Sequence, residues 1–458
     1  MRRNDTMQIT EGVIWKQLLR FFFPILLGSF FQQMYNMADT VIVGRAIGTQ
    51  ALAAVGSCTS LVYLINGFFI GVSSGATVIL SQHFGAGNRQ GSERALHTGF
   101  SLSLILGVLT TVFGVFAGPR ILRLIRTPES CIADAVLYAQ IYFSGAIASM
   151  IYNMGTGILR AMGDSVRPTV FLVISCILNI LLDILFVVAW GMGVAGAAAA
   201  TVLAQSISAL LVTVCLCRLS PELRLDIKKM LPHGATLVRI LAIGIPAGLQ
   251  MMTYDLSNII TQSSINSFGD VTAAAWAAYA KTDTIIWMII GAFGVAITTF
   301  VGQNYGAQKY HRIHRGTWVC MAMCAVSVLC LSCLEVTFRE WLLKIYTTDS
   351  AVVQTGSFML TIAVPFCVLF VPVEVLGGTM RGTGYSLVPT VITTAFACVF
   401  RVLWVFLIIG RWHDLWLLVI CYPISWFLCA AVFLLVYFRG HWLRKLPDPG
   451  DDVALHNL

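Results

Sequence analysis

The stretch GILRAMGDSVRPTVFLVISCILNILLDILFVVAW, residues 157–190, holds two signals at once. Its opening returns as GTMRGTGYSLVPTV at 378–391, where Gly157, Arg160, Gly163, Ser165, Pro168, Thr169 and Val170 are answered by Gly378, Arg381, Gly384, Ser386, Pro389, Thr390 and Val391 at an offset of 221. The remainder is an apolar run long enough to cross a hydrocarbon core of about 30 Å. Yet it carries Asn179 and Asp183, four residues apart and therefore on one face of a helix.

Runs of this kind recur along the chain. Of its 458 residues, 58% are hydrophobic and 11% charged, which excludes an ordinary soluble protein. Twelve spans are read, at 15–44, 50–80, 95–117, 133–158, 168–190 and 194–217, then 238–266, 270–300, 316–338, 351–378, 388–410 and 414–438. Such tandem spans are helices, because an open sheet cannot satisfy its backbone in lipid; a porin-like barrel is excluded. An even number of spans leaves both termini on one side. With loops alternating between sides, 20 Lys and Arg share the side of the termini and 7 lie opposite, with Lys281 and Arg401 inside helices. Basic loops face the cytoplasm, so both termini are expected there.

The formal charge of +8 follows from this bias, and no nucleic-acid partner is read from it. The segment MRRNDTMQITEGVIWKQLLRFF lacks a short apolar core followed by a small-residue cleavage site, so no signal peptide is expected. The thirteen cysteines lie almost wholly in apolar runs, where Cys packs as a small hydrophobe. Cys330 and Cys333 form a CxxC with no second pair to complete a metal site.

A second motif pair fixes the organisation. SQHFGAG at 81–87 is answered by GQNYGAQ at 302–308, again at 221, matching Gln82, Gly85 and Ala86 with Gln303, Gly306 and Ala307. An offset spanning six helices brings the second half in with the orientation of the first. The expected fold is all-α, twelve transmembrane helices in two six-helix lobes related by a pseudo-two-fold axis along the membrane normal. The lobes are read as 1–217 and 238–440, joined by a cytoplasmic linker at 218–237 and followed by a tail at 441–458. Both motif pairs fall in cytoplasmic loops on this reading, their Gly and Pro suiting tight turns. Arg160 and Arg381 are expected to meet helix C-terminal carbonyls or lipid headgroups.

With FFFPILLGSFFQQMYNMADTVIVGRAIGTQALAAVG in the first helix and loop, FVGQNYGA after the eighth, and LRAMGDS and MRGTGYS after the fourth and tenth, the chain resembles the multidrug and toxic compound extrusion (MATE) family over residues 10–440. The resemblance implies a bacterial plasma-membrane antiporter, not an enzyme, that exports organic cations, drugs or other amphipathic compounds in exchange for sodium ions or protons. It implies no cofactor beyond that coupling ion, the lipid bilayer as surroundings, and a monomer. The family's cation site carries over onto Asp39 in NMADTV, Asn179 and Asp183 in LNILLD, and Thr201 in AAAATVLAQ.

Depth bears on that set independently. Asp39 lies five residues before Gly44, Asp183 seven before Trp190 and Thr201 eight after Gly193. At about 1.5 Å per residue, all three sit roughly 8–12 Å below the outer boundary. An ionised carboxylate in lipid costs at least about 2.5 kcal/mol and so needs the bundle interior and a partner. Two carboxylates, an amide oxygen and a hydroxyl make a hard oxygen cage suited to sodium. Two close carboxylates in a poorly solvated place also resist ionising together, so the same cage suits a proton.

At an offset of 221, Asn179 and Asp183 land on Phe400 and Trp404, and at 222 Asp39 lands on Thr261; the second lobe has no copy of the cage. Its own polar set is Asp255, Lys281, Asp283 and Glu374, which are expected to look into its cavity or to bind substrate or a second-lobe ion, against the alternative of pairing with Lys281 or Arg401. Tyr35, Tyr254, Trp276, Trp287, Met251 and Met252 have a character that suits bulky organic cations, but helical spacing assigns none of them to a pocket. A lipid-linked oligosaccharide flippase is the alternative, and it would call for a strongly basic central cavity. An embedded enzyme finds no HExxH motif, the GxSxG match GVSSG at 71–75 lies inside an apolar span and not at the strand-to-helix turn a nucleophile elbow needs, and without a Gly-Lys dipeptide there is no P-loop, so a gradient drives any transport.

Overall fold

The computed structural model describes residues 9–124, 127–220, 223–440 and 442–443. Eleven helices among them are long and apolar enough to cross a membrane, and one bent pair makes a twelfth crossing. They are α1 (Ile14–Ala46), α2 (Thr49–Gly85), α3 (Arg89–Leu124), α4 (Ile132–Ser144 with Ala146–Ala161), α5 (Val166–Ala189), α6 (Gly193–Cys217), α7 (Gly234–Asn266), α8 (Asp270–Gly306), α9 (Tyr310–Thr337), α10 (Ser350–Gly382), α11 (Leu387–Ile409) and α12 (Leu415–Arg439). The tail read over 441–458 lies outside the described residues except for Trp442 and Leu443.

The duplication reaches the turns. Gly163 and Gly384 close α4 and α10 with φ of 84° and 91°, a left-handed conformation that favours glycine. After α2 and α8 the same conformation falls on Gly87 (φ 68°) and on Gln308 (φ 58°), so the second turn keeps its shape although its glycine is gone. The helices overrun several expected ends. SQHFGAG is not a loop: Ser81 to Gly85 form the last turn of α2, and the corresponding residues close α8.

Helix irregularities fall at identifiable residues. The two parts of α4, expected as one span, meet at a 49° bend at Gly145, where an added Cβ would lie 2.5 Å from Val202. α10 tightens over Val364–Phe370, beside Pro365 and Pro372, which remove two backbone donors. α5 widens by π turns at Ile184–Ala189, directly after Asp183, and α11 widens at Thr394–Val399 and Val405–Ile409, on either side of the segment that carries Arg401.

One lobe packs α1–α6 and the other α7–α12, with α2 against α7 and α8 as the principal seam. The seam is built on small residues. A Cβ on Gly71 would lie 2.3 Å from the Gly248 backbone, so the two helices touch main chain to main chain there. Toward the end where the N-terminal residues pack, the repeated glutamines cross over reciprocally. Gln82 donates to the Gly382 carbonyl (3.0 Å) and Gln303 to the Ala161 carbonyl (2.8 Å). Ile9 donates to Gln303 Oε1 and accepts from Asn304, closing that end further.

α1 does not belong wholly to its own lobe. Ile14, Leu18, Phe21, Phe22 and Ile25 sit in the core of the second lobe, with Phe22 stacked on Phe293 at 4.1 Å. The linker is docked: the Asp226 amide meets His97 Nε2 (3.0 Å), the His233 amide meets Thr98 (3.1 Å), and Lys229 pairs with Glu93 (2.8 Å). That ion pair holds the exposed Lys229 ammonium above its ordinary pKa.

Candidate functional site

α1, α5 and α6 bring the four first-lobe residues together. α5 turns Asn179 and Asp183 inward from an apolar run, and both are buried, Asp183 completely. Asp39 is 9% exposed and, with Thr201, lines a cavity of about 390 Å³; Asn179 and Asp183 lie behind that wall. Asp39 and Asp183 are close enough to act on each other electrostatically.

Hydrogen bonding separates used from unused atoms. The Thr201 hydroxyl donates to the Ala197 carbonyl (3.1 Å), while Tyr35 (3.4 Å) and the Asn179 amide nitrogen (3.5 Å) approach it as donors. The nitrogen side of Asn179 is thereby engaged and its oxygen left open. Asp39 Oδ1, Asn179 Oδ1 and both oxygens of Asp183 are buried with no hydrogen-bond partner. Unpartnered buried acceptors are costly, and these four, carried by α1 and α5, make an acceptor-only cluster. What it can do chemically is hold a small cation or protons.

Residues not singled out in the sequence complete the cavity wall. Tyr138 and Tyr142 stack at 6.2 Å, and Asn66 donates to the Tyr142 hydroxyl (2.9 Å). The Tyr35 contact with Thr201 carries no sequence signal beyond an aromatic four residues before Asp39.

In the second lobe the expected set scatters. Asp283 is buried and lines a cavity of about 430 Å³ between α7, α8, α11 and α12. Its Oδ2 accepts from Trp287 (2.6 Å) and Tyr279 (3.3 Å) and its Oδ1 faces the Cys367 thiol (3.9 Å). Lys281 is exposed and lines neither cavity, because two residues along a helix turn it to the face opposite Asp283. Glu374 pairs with Arg381 at 3.0 Å instead of with Lys281 or Arg401, so Arg381 meets an acid two turns away. Asp255 is half-buried at the α2–α7 seam, where a Cβ on Gly67 would lie 3.2 Å from its Oδ2.

Two further buried charges lie near Asp283. Arg401, 2% exposed, is in the wall of the second cavity with Tyr254, Trp276 and Trp287. Glu335, near the end of α9, is buried with Oε2 unpartnered and within electrostatic reach of Asp283. The signal available for it was an acid inside the apolar run VLCLSCLEVTF.

Comparison with known proteins agrees with this architecture. The MatE family model matches residues 24–185 and again 246–407, starting and ending 222 residues apart. The probable multidrug resistance protein YpnP of Bacillus subtilis is 31% identical over 381 residues, 82% of this chain and 84% of its own. The probable multidrug resistance protein YoeA of the same organism is 29% identical over 399 residues, 85% of each chain. A solved structure described as the outward-facing conformation of a multidrug resistance MATE family transporter shares the fold, with a TM-score of 0.88 at 23% identity over 96% of this chain and 98% of that one.

Proposed function

The chain belongs to the MatE family, a multi-pass transporter of the bacterial plasma membrane in the multidrug-efflux group, and on that premise we propose that it is a secondary antiporter. It exports organic cations or other amphipathic compounds in exchange for sodium ions or protons, by alternating access between its two lobes. The observation that carries this reading is the set of four unpartnered buried oxygens on Asp39, Asn179 and Asp183. A cluster with acceptors and no donors is kept in a membrane interior only if something positive fills it.

Coupling follows from differential affinity. A cation that binds more tightly in one lobe arrangement shifts the population toward it, and a drug that binds the other arrangement must weaken by the same factor. Each charge moving down the membrane potential contributes about 2.3 kcal/mol per 100 mV. The end closed by Gln82 and Gln303 carries the N-terminal residues and is read as cytoplasmic from its basic loops. At the other end Tyr63, in the wall of the first cavity, is exposed, which supports an outward-open arrangement.

Among the described residues the wall of the first cavity contains no Lys or Arg, which favours export of cations over flipping of a pyrophosphate-linked lipid. Everted vesicles given a cationic dye in the medium, with inside-high sodium and proton gradients imposed separately, test the proposal. Dye movement driven by one of the two gradients and abolished in Asp183→Asn supports it. Undiminished gradient-driven movement in a folded Asp183→Asn protein contradicts it.

A further inference from the structure

The second-lobe cavity reverses the chemistry of the first. At the offset of 222 that separates both ends of the two matched segments, Asn179 is answered by Arg401, Asp183 by Val405 and Asp39 by Thr261. The repeat has exchanged an acceptor cluster for a buried guanidinium. Arg401 donates through Nε to Ser425 (3.0 Å) and lies over the rings of Tyr422 (4.4 Å) and Tyr254 (5.5 Å). Its Nη2 is buried without a partner.

No acid answers that charge directly. Asp283 shares the cavity, but its oxygens are taken by Trp287, Tyr279 and Cys367, and no ion pair joins it to Arg401 among the described residues. Holding a guanidinium in a nearly dry place with a free N–H is costly unless an anion visits it, and ring faces recover only part of that cost. The open donor points to carboxylate, which a guanidinium grips with fixed geometry. The aromatic wall supplies stacking surface, and about 430 Å³ is within the size range of a drug-sized ligand site.

We propose that the cavity around Arg401 is a subsite for aromatic compounds bearing a carboxylate, so that this transporter accepts aromatic anions in its second lobe as well as cationic cargo. The subsite serves transport only if the exporter reading holds, but its binding chemistry is measurable without transport. Full-length protein in lipid nanodiscs is titrated with 2-naphthoate, 2-naphthamide and 2-naphthylmethylammonium, following tryptophan quenching, since Trp276, Trp287 and Trp426 line the cavity.

Naphthoate is expected to bind at least tenfold more tightly than naphthamide. Arg401→Gln erases that difference by weakening naphthoate, and Arg401→Lys keeps a few-fold preference. If Arg401→Gln does not fold, the order of the three probes on the unaltered protein and the reduced preference of Arg401→Lys decide. Equal affinities, tightest binding of the ammonium probe, or a preference unchanged in Arg401→Gln or Arg401→Lys overturns the proposal. The titration uses no ion gradient. Protein that shows the preference but moves nothing under either gradient contradicts the exporter reading alone, and protein that exports without the preference contradicts this inference alone.

Discussion

At Asp183 the chain tolerates a fully buried carboxylate with neither oxygen hydrogen-bonded, a cost of about 2.5 kcal/mol or more on insertion scales. Removing the charge therefore relieves the apo protein. Asp183→Asn is expected to raise or leave unchanged the melting temperature in detergent while lowering gradient-driven efflux at least tenfold. Thr201 acts more weakly, because its hydroxyl already meets Ala197, Tyr35 and Asn179. Thr201→Ala is expected to weaken cation binding by about 1 kcal/mol, roughly fivefold, with Thr201→Ser close to the parent in the same titration.

The legibility of single residues divides along chemistry. An acid inside an apolar run stands out whatever surrounds it, so Asp39 and Asp183 could be picked from sequence and the structure brings them together with Asn179 and Thr201. Tyr35, Tyr138 and Tyr142 could not be picked, since an aromatic at helical spacing looks the same facing lipid, core or cavity. Arg401 was visible as an intramembrane base, but its counterpart in the first lobe depends on whether the offset is 221 or 222. A shift of one residue turns a helix face by about 100°.

At the level of helices, α2 and α7 can approach so closely only because glycines face each other. Gly71→Leu would drive a side chain into the Gly248 backbone; overpacking of this kind costs about 1–3 kcal/mol. Gly71→Leu is expected to lower the melting temperature and abolish efflux, whereas Gly56→Leu on the same helix, with nothing within 4 Å of the added Cβ, changes neither. The crossing glutamines make a second test. Each contributes about 1 kcal/mol of net hydrogen bonding, so Gln82→Ala with Gln303→Ala is expected to lengthen spin-label distances across that end of the bundle. An unchanged distance distribution would show that the glutamines do not hold the seal.

Helix number and order were readable because lipid allows so few spanning structures. Three things were not. The bend at Gly145 depends on the approach of Val202, the tight segment of α10 on how two prolines are accommodated, and the continuation of α2 and α8 through their polar last turns on contacts with the opposite lobe. Each is a tertiary effect with no local hydropathy signature.

On the scale of the whole transporter, two lobes with one ancestral pattern have diverged in polarity. The first holds unpartnered acceptors, the second a guanidinium that makes no ion pair with Asp283 among the described residues, and the first half of α1 packs into the second lobe's core while Asp39, further along the same helix, faces the first lobe's cavity. That continuity gives a cation at Asp39 a covalent route to the opposite lobe, so movement of α1 is expected to accompany coupling. The duplicated motifs made the two lobes legible, but the sharing of α1 between them was not, because packing partners of an apolar face are not encoded in its hydropathy.

The central claim is that the open oxygens of Asp39, Asn179 and Asp183 hold a travelling cation. Counting sodium-22 bound, and protons released on raising pH, per purified chain tests it most directly, comparing the parent protein with Asp183→Asn and with Asp39→Asn combined with Asp183→Asn. At least one sodium ion or titrating proton per chain is expected in the parent and missing from the double variant. An identical count in the folded double variant would contradict it.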